Sequence, residues 1–152
     1  MRRKWSNGRV LWGVGAGLVA LAMLLWAGTW AYGTGKITVN TLDEVLKGNP
    51  LPADKTAHVT WKSRGGNSEL QVIEMSKIKY HHHSQEDHLV YVARGQGTTR
   101  FGDETRQVKV GDIFNIPKGV PHSFTKEGKE NLVLLVVATA GWKPLEDTKF
   151  YE

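Results

Sequence analysis

Five of the six histidines fall between residues 81 and 122: His81, His82, His83, His88 and His122. Along an extended strand, residues two apart share a face, so His81 and His83 project together while His82 turns away. His88 opens the next strand after one tight turn. His122 comes from a remote turn, Pro117-Lys118-Gly119-Val120-Pro121-His122. Two imidazoles from one strand, one from its hairpin partner and one from a distant strand can surround a single ion. The sixth, His58, and the outward His82 are expected in surface or sheet-packing roles. The chain has no cysteine, which excludes disulfides, thiolate metal sites and cysteine nucleophiles together.

The elements that must carry these histidines are short strands. Beyond Lys55 the sequence alternates apolar runs with glycine-rich turns. Strands are expected at 56–61, 69–75, 77–83, 88–94, 98–101, 105–110, 112–116, 120–125 and 132–139. Arg64-Gly65-Gly66-Asn67, Gly95-Gln96-Gly97, Gly102-Asp103, Gly111-Asp112, Pro117-Lys118-Gly119 and residues 126–129 separate them. Many short strands with regular turn signals indicate an all-β sandwich or barrel rather than an α/β fold. Val90 and Val92 should line the interior, and Tyr91 should point away. The run Leu132–Val137 is apolar on both faces, which predicts cover on both sides, from a second copy or from residues 56–61 folded over it. Before the strands, Thr41-Leu42-Asp43-Glu44 has capping-box spacing, which predicts one short helix around 42–47.

Two stretches resemble the motifs of the cupin family. His81-x-His83-x4-His88-x6-Gly95 is similar to the first, a paired histidine followed by a carboxylate and a glycine. Gly111-x5-Pro117-x-Gly119-x2-His122 is similar to the second at every spacing. The resemblance implies a jelly-roll barrel with a pocket at a metal, and His88 stands where the family usually has glutamate. It therefore implies a four-histidine site of His81, His83, His88 and His122. Such a donor set suits Fe(II), Cu, Ni or Zn and argues against Mg or Ca, which want oxygen. Lys126 replaces an asparagine that often follows the second motif. Glu86 and Asp87 fall in the turn before His88, where ordinary solvated residues are expected; a carboxylate nearing the ion there would serve as ligand or base. Arg100 is expected to face solvent.

The N-terminus is different in kind. Residues 10–32 carry no charge, and the first acidic residue of the chain is Asp43. At about 1.5 Å per residue the run reaches about 34 Å, enough for a hydrocarbon core of about 30 Å. Trp5 and Trp12 near one end, and Trp26, Trp30 and Tyr32 near the other, suit the two interfaces. Arg2, Arg3, Lys4 and Arg9 precede the run, which predicts a cytoplasmic N-terminus and a periplasmic or otherwise extracytoplasmic remainder. The stretch exceeds the h-region of a cleaved signal peptide, about 7–15 residues, so an uncleaved anchor is expected. Gly13 and Gly17 give it a spacing that permits close approach of another helix.

The expected organisation is a basic segment 1–9, a transmembrane helix 10–32, a linker with a short helix 33–54, an all-β cupin barrel 55–145 and a tail 146–152. The net charge of +5 is concentrated in the first nine residues, so no basic patch for nucleic acid remains. Two functions fit. One is a metal-dependent enzyme of the outer compartment, dioxygenase-like, acting on a small molecule in a pocket near Val90, Val92, Phe114 and Phe124. The other is a non-catalytic accessory subunit of a membrane complex, respiratory or photosynthetic. A homodimer formed through the sheets fits either.

Overall fold

A computed structural model describes residues 36–139 and 147–151. The chain divides into two compact units, Met1–Thr38 and Val39–Glu152. The expected membrane span 10–32 lies outside the described residues. Among those described, no helix is long and apolar enough to cross a membrane.

Helix α1 (Leu42–Gly48) has the anticipated start. The Thr41 hydroxyl accepts the Glu44 amide, and the Glu44 carboxylate accepts the Thr41 amide, so two otherwise orphaned donors are satisfied reciprocally. At its other end the Asn49 side chain donates to the Thr60 carbonyl (2.9 Å) and contacts His58 Nε2 (3.0 Å). His58 is thus a docking residue for the helix, in keeping with a packing role.

Among the described residues ten strands follow: β1 (Ala57–Gly65), β2 (Ser68–Met75), β3 (Lys77–His83), β4 (Asp87–Arg94), β5 (Gln96–Phe101), β6 (Glu104–Lys109), β7 (Ile113–Ile116), β8 (His122–Glu127), β9 (Leu132–Thr139) and β10 (Thr148–Phe150). They form two five-stranded sheets, ordered β1-β2-β9-β4-β7 and β10-β3-β8-β5-β6. All their pairings are antiparallel. This is the all-β jelly roll that the turn punctuation implied. Met75, Val90, Val92, Val108, Ile116, Phe124, Leu132, Leu134 and Val136 fill the space between the sheets. Val90 and Val92 point inward and Tyr91 outward, at 39% exposure, as the alternation required.

Strand β9 is apolar on both faces, but residues 56–61 do not fold over it as one expectation had it: β1 extends the same sheet beyond β2. Strand β9 is an inner strand, with β2 on one edge and β4 on the other. Leu132, Leu134, Val136 and Ala138 face the core, while Val133 is buried on the opposite side. The last strand, β10, lies in what was expected to be tail. It pairs along β3, the strand that carries His81 and His83.

Candidate metal centre

Strand β3 aims its histidines only because it contains a bulge. Ile78 pairs with Phe124, yet His81 pairs with His122, so β3 spends one residue more than β8 over the same interval. An extra residue flips the alternation. Ile78 packs against the core, and beyond the bulge it is His81 and His83 that are buried. Without it, Tyr80 and His82 would have faced inward. His82 lies on the other face, with Nδ1 2.9 Å from the Tyr151 hydroxyl.

Neighbouring strands bring the remaining histidines. His122 opens β8, directly opposite His81, with ring centroids 4.3 Å apart. His88 comes from β4 in the facing sheet, its ring 4.3 Å from that of His83. Three imidazoles therefore come from one sheet and the fourth from the other. The second glycine-proline turn is tied to the same place, because the Gly119 amide donates to the His83 carbonyl (2.6 Å).

One ring nitrogen each from His81, His83 and His122 lies within 4.8 Å of the others. His88 does not join that set. It belongs to a second one, with His83 and Glu86, at the same spacing. Its Nε2 is 3.3 Å from Glu86 Oε2. The single four-nitrogen cluster is thus replaced by two overlapping triads that share His83. Glu86 is the larger departure: it is 2% exposed rather than solvated. Asp87 is not a solvated turn residue either: it opens β4, half-buried, and accepts the Lys118 amide (2.9 Å).

The donor chemistry fits a transition metal. His81 Nδ1 faces the Lys79 carbonyl (2.7 Å) and His122 Nδ1 faces the Val120 carbonyl (2.9 Å). A carbonyl only accepts, so both rings carry their proton on Nδ1 and present Nε2 as a lone pair. His83 Nδ1 lies 3.3 Å from the Thr148 hydroxyl, which permits the same tautomer. Burial, and then the neighbouring histidines, push His83 and His122 down to about 3 and His88 to about 4. His81 is lowered chiefly by burial as well. All four are neutral at pH 7, the form that binds metal.

A pH dependence follows for the metal-free protein. In the unfolded chain these imidazoles titrate near 6.5, so below that pH the unfolded state takes up protons that the folded state refuses. Their contribution is complete above about 6.5 and is lost progressively as pH falls towards 3–4. Urea unfolding of the chelator-treated protein should show a loss of up to about 2 kcal/mol per histidine between pH 7 and pH 5. A flat profile over that range would contradict buried neutral imidazoles.

Further polar groups occupy the same wall. Glu69, 1% exposed, accepts from Gln71 Nε2 (2.8 Å) and Arg64 Nε (3.0 Å). It shares a cross-sheet row with Ala138 and His88. Nothing local in the sequence marks Glu69, because its neighbours alternate like those of any half-buried strand.

A cleft of about 490 Å³ opens between the edges of β6 and β7, walled by Phe101, Phe114, Ile116 and Val120, with Glu104 and Arg106 also lining it. It adjoins the histidines, since Phe101 pairs with His122 and Ile116 with His88. Phe114 belongs to it, as expected, whereas Val90, Val92 and Phe124 are core. Arg100 is exposed, its guanidinium 4.4 Å from the centroid of the Tyr80 ring.

Residues 70–138 match the cupin domain family. No curated protein matches the chain. Among solved structures, it is similar to a Klebsiella pneumoniae protein with a double-stranded β-helix domain, at 19% identity and TM-score 0.63, over 77% of this chain and 99% of that one. A Thermus thermophilus protein matches at 21% identity and TM-score 0.56, over 68% and 98%. A cupin-2 domain protein from Shewanella frigidimarina matches at 18% and 0.54, over 66% and 94%. At such identities the likeness shows the fold, a cupin jelly roll.

Proposed function

We propose that this cupin-fold chain holds one divalent transition-metal ion, Fe, Cu, Ni or Zn, at His81, His83 and His122, with His88 from the facing sheet as a more weakly engaged fourth ligand. In this reading it acts as a metal-dependent, dioxygenase-like enzyme on a small molecule. The observation that carries the reading is the convergence of buried, neutral His81, His83 and His122, with the Nδ1 atoms of His81 and His122 held by backbone carbonyls so that each presents Nε2 as a lone pair. When bound, such an ion supplies Lewis-acid polarisation of a coordinated group. The protein's own residues do the rest. Phe101, Phe114, Ile116 and Val120 offer an apolar wall, facing polar groups such as Glu104 and Arg106, in a cleft of a size that suits a small ligand. Glu86, buried beside His88, is placed to accept a proton.

The anchor belongs to the same proposal: residues 10–32 span the membrane, the N-terminus is cytoplasmic and the barrel lies outside. The alternative, an accessory subunit of a membrane complex, is favoured by one feature. Leu70, Leu89, Tyr91 and Ile113 are all exposed apolar residues of one sheet, at 38–78%. A partner subunit or a second copy would cover them.

Full-length protein should sediment with membranes, resist carbonate extraction, and carry about one transition-metal ion per chain after gentle detergent purification. Protein released by carbonate would refute the anchor. Failure to take up Fe(II), Cu, Ni or Zn would refute the metal reading and leave the accessory role.

A further inference from the structure

Strand β10 is built onto the histidine strand. In β10, Thr148 pairs with His83, Lys149 with His82 and Phe150 with His81. Just before it, Asp147 is 6% exposed, and its two carboxylate oxygens accept the amides of Ser84 (3.0 Å) and Gln85 (2.9 Å). Those residues form the turn that leads from His83 to Glu86. The Thr148 hydroxyl is 3.3 Å from His83 Nδ1. The Phe150 ring lies 5.5 Å from that of His81, and the Tyr151 amide donates to the Tyr80 carbonyl (3.0 Å).

His81 and His122 each find an Nδ1 acceptor two residues back on their own strand or turn. His83 instead meets a group 65 residues away. His83 is also the histidine common to both triads. A ring nitrogen's partner fixes the ring's orientation, and so the direction in which the other nitrogen points. The carboxylate of Asp147 acts on the backbone instead: charge-assisted bonds to two successive amides fix the path of the turn that delivers Glu86.

We infer that Asp147 and Thr148 are positioning residues for the metal centre, Thr148 through the His83 ring and Asp147 through the Ser84–Gln85 turn. The inference rests on the metal reading above. The contacts that complete the centre therefore come from residues more than 60 positions away along the chain. An edge strand of three residues has few ladder bonds of its own, so these side-chain contacts hold it as much as it holds them.

The test uses the full-length chain with Co(II) as the probe. Affinity is read by competition with a chelator, geometry by the d–d absorption, and the turn by hydrogen exchange at Ser84 and Gln85. Thr148→Val should weaken Co(II) binding about 10–100-fold and alter the absorption, and Thr148→Ser should restore both. Asp147→Asn should weaken binding similarly and speed exchange of the two amides about tenfold or more. If Asp147→Asn fails to fold, the Thr148 pair carries the test. Variants that bind Co(II) as the parent does, with the same absorption, overturn the positioning role alone. A parent chain that takes up no Co(II) overturns the metal reading and this inference with it.

Discussion

Replacing His83 with alanine should abolish metal binding, and should cost more than replacing any other histidine. The reason is topological. His83 is the one side chain common to both three-ligand groups, His81–His83–His122 and His83–Glu86–His88, so its loss leaves each with two donors. His88→Ala should be milder, because the His81–His83–His122 triad survives it and Glu86 remains close by. An affinity loss well beyond the 10–100-fold typical of outer-shell changes is expected for His83→Ala, and one near that range for His88→Ala. Metal analysis of the full-length variants, with chelator competition, reads the difference. Equal losses at the two positions would mean that His88 is a ligand on the same footing as the others. Urea unfolding of each metal-free variant separates a lost ligand from the cavity that a truncated buried side chain leaves.

The second large effect falls on the fold. Gly95→Ala should destabilise the protein by about 3 kcal/mol, the sum of two separate penalties. Gly95 has φ +73°, a left-handed conformation that costs an L-residue about 1–2 kcal/mol. A Cβ there would also stand 2.5 Å from the Asn131 carbonyl oxygen and 3.1 Å from its carbon, both backbone atoms. Asn131 leads directly into β9, whose Leu132 is fully buried, so the clash cannot be relieved without moving a central strand. Gly119 is the control. Its φ is +79°, but a Cβ would meet nothing within 4 Å, so Gly119→Ala should cost only the strain, about 1–2 kcal/mol. Urea denaturation of the two variants separates the terms, and equal losses would show that the approach to Asn131 relaxes cheaply.

These two glycines also show how the sequence was readable. Their positions in turn signals marked strand ends, and short strands punctuated by glycine sufficed for the all-β barrel. The two-residue spacing of His81 and His83 set them on one face, and the matching spacing of the second motif brought in His122. Capping chemistry placed α1 to within a residue, because Thr41 and Glu44 act on each other across three positions. Each of these signals is local: a dihedral preference, a strand period or a turn that neighbouring residues decide among themselves.

What tertiary structure alone decided is non-local in every instance. The bulge in β3 is defined by a mismatch with β8, so no pattern within β3 reveals that parity changes between Ile78 and His81. Glu86 reads as a turn carboxylate; the turn before it is pinned by Asp147, more than 60 residues away, and Glu86 itself is buried beside His88. Strand β10 is only three residues long, too short for a period to register, and exists because β3 offers it a ladder. Buried Glu69 meets Gln71 on its own strand and exposed Arg64 across the pairing of β1 with β2. Local chemistry thus determined which residues could bind a metal and roughly where they lie. Long-range pairing decided how they converge, because a one-residue change in register turns a side chain from the interior to the surface.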